Sequence, residues 1–172
     1  MQDTKFIALE ARKSLITSIF HAKSGHPGGS LSCTDLLAVL FKETLLDQSP
    51  ARLILSKGHA CPALYSVAAE YGLIAKEELL TLRKINSRLQ GHPHMKFFNW
   101  LSASTGSLGQ GFSSAIGIAL GFKYQNLNSR SIAIIGDGES QEGQIWEGAM
   151  FAAHNKLNNL IVYLDYNKLQ SD

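Results

Sequence analysis

Ser131–Gly138, SIAIIGDG, and Asn159–Asn167, NLIVYLDYN, decide how this chain folds. Each is a short run of Ile, Leu, Val and Ala that stops at Gly, Asp or Asn. Such runs read as strands buried on both faces, the pattern of a parallel sheet rather than of a half-solvated one. Between them, Glu142 to Lys156 predicts a helix. Strand, helix and strand in that order form a βαβ unit, whose two strands run parallel. Asp137 and Asn167 therefore leave the sheet at the same, carboxyl edge. Ligands bind at that edge in open α/β folds.

Working outward, Arg52 to Ser56 (RLILS) reads as a further buried strand. Thr4 to Lys23 has apolar residues mostly three or four apart and predicts a helix. SGHPGGSLS, Ser24 to Ser32, is expected to break it, with Ser32 capping a following helix through Leu45. Helices are also expected from Leu64 to Tyr71, closed by Gly72, and from Lys76 to Ile85. Asn86 to Thr105 has no periodicity, and a loop of this length inside a domain usually serves function. Ser107 to Gln125 predicts a helix rich in Gly, Ala and Ser. Glycine costs about 1 kcal/mol in a helix interior, so a close-approaching backbone is the expected compensation. That backbone is either the sheet or a second subunit.

The fold class expected is α/β: an open, mainly parallel sheet with helices on both faces. Residues 1–172 form a single domain, expected to be incomplete toward its C-terminal end because three strands are few for a sheet. Apolar residues make up 45% and charged residues 17%, the balance of a globular protein. No run of Lys and Arg suggests nucleic acid. No apolar run approaches the roughly 20 residues of a membrane span. The mixed-charge N-terminus has no signal-like apolar core, so a cytoplasmic setting is expected. Cys33 and Cys61 lack metal or disulfide spacing and read as buried thiols.

The chemistry gathers at GDG, Gly136 to Gly138. Asp137 supplies a hard carboxylate and Asn167 an amide oxygen. With a backbone carbonyl and two diphosphate oxygens, they would suit octahedral Mg²⁺, with Ca²⁺ or Mn²⁺ as substitutes. The flanking glycines let the backbone turn and approach a diphosphate closely. GDG alone is common in turns. The ordered series of strand, GDG, helix, strand and Asn is far more specific. His26, His59 and His92 lie in glycine-bearing loops, where side chains that titrate near neutrality can exchange protons with a substrate.

That series resembles the thiamine diphosphate motif. SGHPGGSLS, LSKGHA, QGHP, STGSLGQG and GDGESQEG, in this order, are similar to transketolase signatures from about Lys23 to Asn167. The likeness is greatest to short, separately encoded N-terminal subunits of that family. It implies metal ligands at Asp137, Asn167 and the Leu169 carbonyl, and a diphosphate against Gly138. It implies His59 near the diphosphate and reacting carbon, with His26 and His92 on the substrate. Gly106 and Leu108 would face the aminopyrimidine, and Glu142 would meet its mate across a dimer. The implied activity is transfer of a two-carbon ketol unit between sugar phosphates. The implied partner is a C-terminal subunit carrying the pyrimidine-binding domain, in a homodimer or an α2β2 heterotetramer.

The family's glutamate that protonates the pyrimidine lies in the half not present here, so the chain alone is expected to be inactive. Ser107 replaces the proline of the GPLGQG form, and Ser171 stands where a bulky aliphatic residue often packs. The stretch DQSPARL is shorter than in relatives. Competing readings are a deoxyxylulose-phosphate synthase-like or 2-oxo acid dehydrogenase-like subunit, or else a non-catalytic interaction subunit. A third, a nucleotide- or methyl-donor-binding Rossmann protein, lacks the full glycine spacing and leaves Asn167 unexplained.

Overall fold

The computed structural model describes residues 3–46 and 51–170. Ser171 and most of the shortened stretch, residues 47–50, lie outside the described residues. Three strands, β1 (Ala51–Leu55), β2 (Arg130–Gly136) and β3 (Leu160–Asp165), form a parallel sheet in the order β1-β2-β3. The five long helices are α1 (Thr4–Ala22), α2 (Pro27–Phe41), α3 (Cys61–Glu70), α4 (Gln110–Tyr124) and α5 (Gly143–His154).

Alternate residues of the central strands feed two cores, as a two-faced sheet requires. Leu53, Leu55, Ile132 and Ile134 pack with α1, α2 and α3, among them Ile7, Leu15, Leu37 and Leu64. Ile54, Ala133 and Ile135 pack with Phe112, Ala115, Ile116 and Ala119 of α4 and Ile145 of α5. β3 is apolar on both faces yet largely uncovered: Val162, Tyr163 and Leu164 remain exposed. So do Trp146, Met150 and Phe151 on α5.

Several boundaries differ from the sequence reading. α2 begins at Pro27, not after Ser32, and His26 takes the N-cap position. Proline suits the first helical turn because its missing N–H would lack a partner there anyway. Ser32 is then inside the helix, and its hydroxyl donates to Asp165 at 2.6 Å. The segment after Lys76 forms only a 3₁₀ turn, Lys76–Thr81. Arg83 and Asn86 take left-handed φ values of 60° and 65°, which ends any helix. α4 starts three residues later than expected, after Gly109 at φ 84°. The end of α3 is as expected: the N–H of Gly72 bonds to the Ala69 carbonyl at 3.0 Å and that of Leu73 to Ala68 at 2.9 Å.

The small residues of α4 serve the sheet at one end. A Cβ on Gly111 would stand 2.6 Å from the Ser56 Cα at the exit of β1. Gly117 and Gly121 have nothing within 4 Å of that position and face open space. Cys33 and Cys61 are free and buried, and burial pushes their thiols up to about 11 and about 12. Neither is a thiolate near neutral pH.

Candidate active site

The strand exits and the loops around them enclose a cavity of about 930 Å³. Ligand pockets run from roughly 300 to 1,000 Å³, so the space suits a cofactor-sized molecule. Every residue singled out from the sequence lines it: His26, His59, His92, Gly106, Leu108, Asp137, Gly138, Glu142, Asn167 and Leu169. The bringing-together is a product of topology. β2 and β3 pair with Gly136 opposite Asp165, so Asp137 and Asn167 leave adjacent strands almost side by side.

Asp137 and the β3 exit are tied directly. One carboxylate oxygen of Asp137 accepts the Lys168 N–H at 2.7 Å, and the other accepts the Gly138 N–H at 3.0 Å. The Asn167 side-chain oxygen accepts the Leu169 N–H at 2.9 Å. Among the described residues no cluster of three or more His, Cys, Asp or Glu could hold a metal. A cation here would rest on one carboxylate with amide and carbonyl oxygens, leaving places for an anionic ligand. That donor set is hard and all-oxygen, as Mg²⁺ and Ca²⁺ require. A Cβ on Gly138 would meet the Gln170 Cβ at 3.0 Å, so glycine keeps this corner narrow.

The histidines lie on the other wall. The rings of His26 and His59 stand edge to face, with centroids 5.1 Å apart. Burial pushes His59 down to about 4, with the Lys57, His26 and His92 charges adding to the effect. His92 is also lowered, first by burial and then by Arg83 and His26. His59 is thus a neutral imidazole near pH 7, with one ring nitrogen able to accept a hydrogen bond and the other to donate one. Gly106, at φ 152°, carries the loop against His92: a Cβ there would lie 2.9 Å from the His92 Cγ. A Cβ on Gly58 would lie 2.7 Å from the Gly106 nitrogen, so the His59 loop and the Leu108 loop touch backbone to backbone. Glu142 is exposed at the N-cap of α5, its side chain making no cap bond.

Three residues that brace the site, Lys57, Asp165 and Glu139, were not singled out from the sequence. Lys57, almost fully buried, donates to the Gly29 carbonyl at 2.9 Å and to Asp165 at 2.5 Å. Asp165 also accepts from Ser32, so the pair pins the His26 segment to the end of β3. Glu139 is buried and accepts from Ser56, Gly109 and Gly136. The signal in the sequence was place: each of the three closes or closely follows a strand.

A parallel sheet with a GDG turn, an Asn on the adjoining exit and an oxygen-lined cavity defines a diphosphate-binding α/β domain. Residues 4–172 match the transketolase, thiamine diphosphate binding domain, and the chain belongs to that family. It is 45% identical over 168 residues to the 6-deoxy-6-sulfo-D-fructose transketolase subunit SqwG of a Clostridium species, covering 94% of this chain and 61% of that one. Human transketolase is 45% identical over 181 residues, spanning 100% of this chain and 29% of the enzyme. An apulose-4-phosphate transketolase subunit of Phocaeicola vulgatus is 37% identical over 92% of this chain and 59% of its own. The crystal structure of Campylobacter jejuni transketolase superposes with a TM-score of 0.81 at 32% identity, over 99% of this chain and 29% of the enzyme. The chain thus spans well under the full length of each relative.

Proposed function

We propose that this chain is the N-terminal subunit of a thiamine diphosphate-dependent transketolase. It would act with a pyrimidine-binding partner subunit to move a two-carbon ketol unit from a ketose phosphate to an aldose phosphate. The observation that carries the reading is the convergence of the loops bearing His26, His59, His92, Leu108, Asp137 and Asn167 on one cavity. The single domain of residues 1–172 is one half of that site in this reading. The names of the Clostridium and Phocaeicola subunits support a divided enzyme. Two unpaired buried thiols fit a reducing, cytoplasmic setting.

In this reading Asp137, Asn167 and the Leu169 carbonyl hold a Mg²⁺, or Ca²⁺ or Mn²⁺ in its place, and Gly138 lies against the diphosphate. The fit rests on the hard oxygen donors and the narrow glycine corner described above. When bound, the cofactor would supply a nucleophilic carbon and an electron sink for ketol transfer. Gly106 and Leu108 present backbone to its aminopyrimidine. His59, held neutral by its surroundings, offers a hydrogen bond beside the reacting carbon. His26 and His92 flank it and orient substrate hydroxyls. Glu142, exposed at the helix start, is available to a facing subunit.

The test is reconstitution. The chain is mixed with its partner subunit, thiamine diphosphate and Mg²⁺, and two-carbon transfer from a ketose phosphate to an aldose phosphate is followed. Turnover by the mixture and none by either chain on its own is expected. Transfer from pyruvate instead, or none from any ketose, would overturn the reading.

A further inference from the structure

Glu139 sits in the short 3₁₀ turn that follows GDG, with only 2% of its surface exposed. A buried carboxylate needs donors, because it has left water behind and accepts only. It has three. One oxygen takes the Ser56 hydroxyl at 2.5 Å and the Gly109 N–H at 2.8 Å; the other takes the Gly136 N–H at 3.1 Å. The donors come from three separate segments of chain. Ser56 leads into Lys57 and His59, Gly109 follows Gly106 and Leu108, and Gly136 precedes Asp137 and Gly138.

We infer that Glu139 is a positioning residue: its single carboxylate, almost wholly taken up by bonds to the protein, sets the spacing of the three loops that line the cofactor cavity. The other ties join these loops only in pairs. Thr105 donates to the Leu55 carbonyl at 2.7 Å, and the N–H groups of Ser56 and Lys57 share the Ile134 carbonyl. Glu139 alone among these bonds spans all three segments. Charge-assisted bonds to backbone N–H groups are short and directional, so the spacing is stiff. The inference rests on the cofactor reading above for what the loops are spaced to hold.

Glu139→Gln keeps the shape and removes one acceptor. Whichever way the amide lies, one of the two glycine N–H groups faces an NH₂ instead of an oxygen. The test uses the full chain, assembled with its partner subunit where binding needs it. Amide hydrogen exchange is read at Gly109 and Gly136, and thiamine diphosphate with Mg²⁺ is titrated. The expected result is exchange at one of these glycines faster by about tenfold or more, and Kd raised by about tenfold, the loss of one charge-assisted bond. Leu15→Ala, in the core beneath α1, lowers the unfolding midpoint but leaves Kd within about twofold. Should Glu139→Gln not fold, Ser56→Ala removes one donor and gives a smaller shift in the same direction. Exchange at both glycines unchanged, or Kd unchanged while exchange rises, overturns the inference. A wild-type protein that binds no thiamine diphosphate sinks the cofactor reading instead, and the exchange comparison still decides whether Glu139 spaces the loops.

Discussion

The Asp137 carboxylate accepts the backbone N–H of Lys168 at 2.7 Å, binding the turn after β2 to the turn after β3. Lys168 stands between Asn167 and Leu169 and takes φ 62°, so this bond holds an otherwise unfavourable turn in place. The residues proposed to hold the cation are thereby brought together by the protein itself. Asp137→Asn should disturb that arrangement even without metal, since an amide cannot accept both N–H groups through separate oxygens. The expected loss is about 1 kcal/mol, typical of one hydrogen bond at a half-exposed site. Urea unfolding in the presence of a chelator measures it, and an unchanged midpoint would contradict it.

One carboxylate is a poor cation site by itself. Sites with few charged ligands bind Ca²⁺ only at about 10⁻⁴–10⁻³ M. Mg²⁺ alone should therefore bind weakly, and the diphosphate should complete the coordination. Calorimetry with Mg²⁺ alone, the cofactor alone and both together should show affinity gained mainly by the pair. Tight Mg²⁺ binding to the bare protein would contradict this.

Lys57 and Asp165 form a buried ion pair, their side chains 1% and 11% exposed. Removing one partner strands the other's charge, which costs about 3–5 kcal/mol in such pairs. Lys57→Met and Asp165→Leu should each destabilise by an amount near that range. The double variant should lose clearly less than the sum, because neither charge is left unpaired. Additive losses in urea unfolding would show that the pair does not hold the segment.

The sign of the pH dependence follows from His59. Its folded-state value of about 4 lies below the ordinary 6.5, with burial the main cause. Between those values the unfolded chain binds a proton that the folded chain does not. Stability from this residue is present above about pH 6.5 and is lost as pH falls toward 4. The lowered His92 acts in the same direction. Urea midpoints measured from about pH 7 to about pH 4.5 should fall less steeply in His59→Gln than in the wild type. Identical slopes would place the acid sensitivity elsewhere.

Much of this was legible because it is local. SIAIIG and NLIVYLD declare strands by composition, although β3 stays largely uncovered, and GDG and Asn167 follow from where those strands end. The histidines stood out because glycine-bearing motifs surround them. SGHPGG marked the break after α1 correctly but overstated its length, because Pro27 already starts α2. The end expected at Ile85 failed because Arg83 turns away and its N–H bonds to the Leu89 carbonyl at 2.8 Å. Lys57 with Asp165, and Ser56 with Glu139, were out of reach. Their partners lie 108 and 83 positions apart, and only the strand order makes them neighbours.

The most direct measurement is a titration of thiamine diphosphate in the presence of Mg²⁺ into the wild type, Asp137→Ala and Asn167→Ala, each with the partner subunit. Saturable, Mg²⁺-dependent binding by the wild type is expected. Kd should rise at least about a hundredfold in both variants, no less than the loss of a supporting group around a metal site costs. Binding that needs no divalent ion, or that survives both substitutions, would contradict a cation held between the two strand ends.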